Sequence, residues 1–115
     1  MSLKIRQLHE QFVGEVDGIR LSPDLDQADI DALNRAIDRY AVLVFHDQQL
    51  DDEALLAFGL RFGTVAAPRN HRVERRLARA ELADISNLDA KGELRARDDH
   101  RRLDALANQL WHADA

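Results

Sequence analysis

Between residues 26 and 45 the chain carries an amphipathic pattern of helix length that runs without a break into five consecutive apolar residues. Ile30, Leu33, Ile37 and Tyr40 recur at spacings of three and four. Asp31, Asn34, Arg35, Asp38 and Arg39 occupy the opposite side. This is the pattern of a surface helix with one buried stripe. Asp26, followed three residues later by Asp29, gives an acidic entry that suits the positive end of the helix dipole. The segment that follows, Ala41-Val42-Leu43-Val44-Phe45, is too short for another helix and rich in β-branched residues, so it predicts a strand buried on both faces. A strand covered twice needs layers, and the fold class expected is α+β. Asp51 then caps a second helix over Asp52–Phe62, with Leu55, Phe58 and Phe62 as its apolar stripe and Gly63 as its stop.

Around this helix, strand, helix segment the signals are shorter. Ile5–Leu8 and Phe12–Leu21 partly alternate, with Gly14 and Gly18 as breakers, and predict two small strands joined by a turn. Ser22-Pro23 marks a stop. From Thr64 to Arg79 periodicity fades and charge rises, which predicts a loop with room for a short helical continuation. Glu81–Asn87 reads as a further strand anchored by Leu82 and Ile85. Asp89–Asp104 reads as an exposed, charged excursion with a turn at Lys91-Gly92, and order is expected to resume near Leu106. No internal repeat or low-complexity tract is present. A length of 115 residues accommodates one modest domain, or part of one.

Composition removes several classes of function. There is no cysteine, so any metal must be held by nitrogen and oxygen ligands, and thiol nucleophiles are excluded. No Gly-rich phosphate loop and no serine nucleophile elbow occurs. The net charge of −5 disfavours general nucleic-acid binding. The basic cluster Arg69, Arg72, Arg75, Arg76 and Arg79 lacks interleaved aromatics for base stacking and reads first as a solvated loop face, with anion recognition as the alternative. No apolar run approaches membrane-span length and the first ten residues lack a signal-peptide core, so a cytoplasmic protein without membrane or nucleic-acid partners is expected.

The residues that carry chemistry come last. In Trp111-His112-Ala113-Asp114-Ala115 a strand would project His112 and Asp114 from one face and turn Trp111 away to pack. On a helix the same pair would stand about 200° apart and could not share a metal. A His-x-Asp pair on a strand supplies two of the three ligands of the two-histidine, one-carboxylate arrangement, which leaves iron(II) with open positions for a cosubstrate and oxygen. Taken alone the pair is unspecific: with five histidines and fifteen aspartates, chance yields one in about half of such chains.

The surrounding segments supply the context. Gly14-Glu15-Val16-Asp17-Gly18-Ile19-Arg20-Leu21, Ala41–Phe45, Arg61-Phe62-Gly63, Glu81–Asn87 and Ala107-Asn108-Gln109-Leu110-Trp111-His112-Ala113-Asp114 occur in this order. Together they resemble the taurine and 2,4-dichlorophenoxyacetate (TauD/TfdA) dioxygenase family, closest to its 2,4-dichlorophenoxyacetate branch. The resemblance implies the N-terminal portion of a double-stranded β-helix (jelly-roll) with flanking helices and an incomplete barrel. It also implies iron(II), with 2-oxoglutarate as cosubstrate, O2, and hydroxylation of a small organic acid of aryloxyalkanoate or sulfonate type.

By that resemblance His112 and Asp114 are the first two iron ligands, Asn108 lines the substrate pocket, and His71 lies in a loop that contacts the substrate anion. The second iron histidine and the arginine that binds 2-oxoglutarate are expected beyond this chain. Residues 1–115 are therefore read as the N-terminal part of a single dioxygenase domain, truncated after the His-x-Asp motif. Its full-length parent is expected to be a homo-oligomer, and the fragment alone is expected to be inactive. The alternative is a non-catalytic binding or interaction module that keeps only the helix-strand-helix core.

Overall fold

The computed structural model describes residues 3–66 and 76–113. His71, Arg69, Arg72, Arg75 and Asp114, each singled out by sequence, lie outside the described residues. Two compact units divide the chain, Met1–Val65 and Ala66–Ala115.

The first unit is built on a three-stranded sheet of order β1-β2-β3. β1 (Lys4–Gln7) pairs antiparallel with β2 (Gly14–Asp17), Ile5 opposite Val16. β2 pairs in parallel with β3 (Leu43–Val44), Gly14 opposite Leu43. A parallel pair requires a crossover, and helix α1 (Gln27–Tyr40) provides it. The Asp26 carboxylate accepts the Asp29 N–H at 2.9 Å, so the acidic entry is a true N-cap.

At its other end α1 stops on Ala41, whose N–H bonds the Ile37 carbonyl and whose φ is +63°. The chain then turns straight into β3, with Val13 N–H bonding the Tyr40 carbonyl and Gly14 N–H the Val42 carbonyl, both at 2.9 Å. Gly14 permits this approach. A Cβ there would lie 2.8 Å from Ile5 Cγ2 and 3.0 Å from the Tyr40 ring.

The core consists of Val16, Ile19, Leu21, Leu25, Ile30 and Leu33, with Ile5, Leu43, Phe45 and Phe58 packed against it. On α1 the buried stripe runs through Ile30, Leu33 and Ala36, whereas Ile37, expected inside, is exposed. The strand predicted over residues 41–45 is a correction: only Leu43 and Val44 are paired, and both are half-buried rather than covered on two faces. Strand alternation sends Leu43 and Phe45 to the core and leaves Val42 exposed.

Helix α2 (Asp52–Leu60) starts at Asp51, which accepts the Ala54 N–H at 2.8 Å, and ends two residues before Phe62. Its expected stripe is also corrected. Leu56 is the buried residue, at 7% exposure, while Leu55 is 46% exposed and Phe62 is likewise exposed. The helix is apolar nearly all round, so sequence spacing alone did not decide which side faces this core. Gly63, the expected stop, has φ +152°.

Two polar side chains tie the loops of this unit together. The Arg61 guanidinium donates through Nη1 to the Pro23 and Leu25 carbonyls at 2.6 and 2.7 Å. Gln48 accepts the Leu21 N–H at 2.7 Å and donates to the Ile19 and His46 carbonyls. Each satisfies backbone groups that no ladder reaches.

The second unit contains little regular structure among its described residues. The strand predicted over Glu81–Asn87 is not formed: the segment is turn and irregular chain, and Ile85, its supposed anchor, is 82% exposed. The turn at Lys91-Gly92 is present. Asp89 Oδ1 accepts the N–H groups of Lys91 and Glu93, Gly92 takes φ +81°, and Leu88 bridges Leu94. The charged excursion is more ordered than expected, because Asp99 accepts the N–H groups of Arg101 and Arg102 and starts helix α3 (His100–Ala105). A 3-10 turn, Leu106–Gln109, leads to Leu110, whose backbone is extended.

Candidate metal centre

His112 follows the 3-10 turn by three residues and is exposed to solvent. The expected strand is not formed at Trp111–Ala113, which carry no ladder among the described residues, and Trp111 is fully exposed rather than packed. A strand needs a neighbour to pair with, and no described segment lies alongside. Asp114 falls outside the described residues. Among the described residues no group of three or more histidine, aspartate or glutamate side chains converges as a metal site.

One local contact bears on ligation. His112 Nδ1 lies 2.8 Å from the Leu110 carbonyl oxygen. A carbonyl can only accept, so Nδ1 donates and, in the neutral ring, the lone pair resides on Nε2. A backbone carbonyl on the far nitrogen is the usual means of fixing a metal-binding tautomer. The His112 imidazole therefore fits a metal bound through nitrogen.

Asn108 occupies the 3-10 turn and contributes to two concave surfaces of the second unit. One is a shallow cleft shared with Leu110, Trp111 and His112. The other is a cavity of about 250 Å³ that gathers Arg76, Arg95 and Arg101 together with Asp84 and Asp89. Of the basic cluster seen in the sequence, Arg76 makes a two-pronged ion pair with Asp84 (2.9 and 3.1 Å) and Arg79 lies 3.6 Å from Glu81.

The Arg76 guanidinium, with the Ser86 hydroxyl, holds the Asp84 carboxyl below its ordinary range, and the Glu93 and Lys91 N–H groups do the same for Asp89. Sequence reading did not single out Arg95 or Arg101. A faint signal existed, since Arg101, Ala105 and Asn108 fall at helical spacing.

A second charged group sits on the sheet of the first unit. Glu15 on β2 accepts from Arg6 on β1 at 2.7 Å, and its other oxygen lies 3.1 Å from His46 Nε2. Arg6 first, and then His46, pulls the Glu15 carboxyl below its ordinary value. Arg6 and His46 are largely exposed, and the cluster reads as a strand-to-strand tie.

The second unit thus carries an exposed histidine, His112, and a cavity lined with arginines, in a chain of α+β class. Comparison with known proteins makes the family specific. Residues 4–115 match the family described as taurine catabolism dioxygenase TauD, TfdA family, and the chain belongs to it. It is 37% identical over 117 residues to the alpha-ketoglutarate-dependent 2,4-dichlorophenoxyacetate dioxygenase of Burkholderia sp. (strain RASC), covering all of this chain and 39% of that protein.

It is 34% identical to the enzyme of the same name from Cupriavidus pinatubonensis, covering all of this chain and 41% of that protein. Among solved structures, AAD-2 in complex with Mn(II) and N-oxalylglycine superposes with a TM-score of 0.78 at 38% identity, over 99% of this chain and 37% of that one. The partial sheet and its helices thus have the fold of the corresponding part of a dioxygenase. The chain spans about two-fifths of the length of these relatives.

Proposed function

We propose that residues 1–115 are the N-terminal part of a single dioxygenase domain, completed in the full-length protein as a double-stranded β-helix. In this reading the protein uses iron(II), 2-oxoglutarate and O2 to hydroxylate a small organic acid of aryloxyalkanoate or sulfonate type. The observation that carries it is likeness along the whole chain to 2,4-dichlorophenoxyacetate dioxygenases, ending on a His-x-Asp pair. A likeness to an (S)-phenoxypropionate/alpha-ketoglutarate-dioxygenase from Sphingobium herbicidovorans, 35% identical over 96% of this chain, supports the substrate class.

His112 through Nε2 and Asp114 through its carboxylate would hold the metal, and a third nitrogen donor is not assigned to any residue of this chain. When bound, iron(II) with 2-oxoglutarate supplies the oxidising power to insert one oxygen atom of O2 into a C–H bond of the substrate while 2-oxoglutarate loses CO2. The chain's own contribution is placement. The Leu110 carbonyl fixes the His112 tautomer. Asn108 borders both the His112 cleft and the arginine-lined cavity and would orient a polar group of the substrate.

The test is formation of succinate from 2-oxoglutarate by the full-length protein, dependent on iron(II) and on an aryloxyalkanoate. His112→Ala is expected to abolish it, and the 115-residue chain alone is expected to form none. Succinate formation that survives His112→Ala would overturn the assignment.

A further inference from the structure

The cavity of the second unit holds a cation that its internal pairing does not use. Three guanidiniums and two carboxylates line it, an excess of one positive charge. Both oxygens of Asp84 receive the Arg76 fork. Asp89 Oδ1 receives two backbone N–H groups. Arg95 donates through Nε to the Leu88 carbonyl at 3.1 Å and places Nη1 3.7 Å from Asp99.

Arg101 differs. Its backbone N–H is held by the Asp99 carboxylate at 2.9 Å, but its guanidinium makes no hydrogen bond or ion pair among the described residues. Leu77, Ile85, Leu88 and Ala105 give the same cavity apolar walls, and Asn108 adds an amide at the border with the His112 cleft.

We propose that this cavity seats the organic-acid substrate, with Arg101 as the cation that anchors its carboxylate, Asn108 hydrogen-bonding its polar end, and the apolar walls receiving its body. The inference rests on the functional reading above and adds to it a named specificity-determining residue. An arginine is suited to the task because its planar fork meets a carboxylate with two parallel N–H···O bonds. The order of the cavity also matters: the anion sits at Arg101, and Asn108 stands between that point and the metal ligand four residues further on. At about 250 Å³ the space favours a compact acid over an extended one.

The test is a titration of the metal-free full-length protein with phenoxyacetate and with its neutral counterpart phenoxyacetamide, followed by NMR of the arginine Nε–H and asparagine side-chain amide signals. Phenoxyacetate is expected to shift the Arg101 and Asn108 signals and to bind about tenfold or more tightly than the amide, as the loss of a charge-assisted bond requires. Arg101→Gln should remove that preference, and Arg101→Lys should restore part of it. Equal binding of acid and amide to the unaltered chain, binding unchanged in Arg101→Gln, or no shift at Arg101 and Asn108 would overturn the proposal. Because no metal is present, an inactive full-length protein would refute the oxygenase reading and leave this result standing, and the reverse holds equally.

Discussion

At the scale of single residues, the strongest constraints are backbone conformations that side chains do not favour. Ala41 closes α1 at φ +63°, a conformation that costs an L-residue roughly 1–2 kcal/mol and a glycine almost nothing. Ala41→Gly is therefore expected to raise stability by about 1 kcal/mol, measured by denaturant unfolding. Glu15 offers a test by pH. Because Arg6 and His46 depress its carboxyl below the ordinary value of 4.5, its ionised form stabilises the folded chain above that value, and the contribution is lost as pH falls through the lower folded one. Thermal unfolding should shift to lower temperature on acidification below about pH 4.5, and Glu15→Gln should flatten that dependence; an unchanged profile in the variant would show that Glu15 does not contribute to it. His112 was legible as a ligand candidate from its spacing to Asp114, whereas Arg101 was not, since the role proposed for it depends on which neighbouring arginines already have partners.

At the scale of elements, the parts most accurately legible were those whose ends carry their own chemistry. Asp26 and Asp51 each accept an N–H three residues on, as their positions before apolar periodic segments predicted. Asp51→Ala should cost about 1 kcal/mol, read as a lower unfolding midpoint with unchanged slope. The Lys91-Gly92 turn was legible for the same reason: Gly92 at φ +81° and the Asp89 carboxylate define it locally. Segments that depend on distant partners were misread. Glu81–Asn87 has strand-like residues but forms no ladder among the described residues, its one cross-strand bond being Arg95 N–H to the Asn87 carbonyl, and residues 41–45 form only two paired positions. On α2 the apolar residues surround the axis, so spacing chose Leu55 and packing chose Leu56.

At the scale of the whole molecule, the chain presents apolar side chains that its described parts do not cover. Val42, Leu55, Leu60 and Phe62 in the first unit, and Leu94, Leu110 and Trp111 in the second, are exposed. Exposed apolar side chains in this number favour association. The isolated 115-residue chain should therefore show concentration-dependent species in sedimentation velocity, and a sharp monomer boundary at all concentrations would contradict this. The chain covers about two-fifths of its relatives, and the same surfaces are the ones that the remainder of a dioxygenase domain would bury in the reading given above. Ligation of iron(II) by His112 and Asp114, as proposed above, is measured by anaerobic equilibrium dialysis of iron(II) against the full-length protein. One iron per chain, lost in both His112→Ala and Asp114→Ala while each variant keeps the far-UV circular dichroism of the parent, is the predicted result. Stoichiometric iron retained by either folded variant would contradict it.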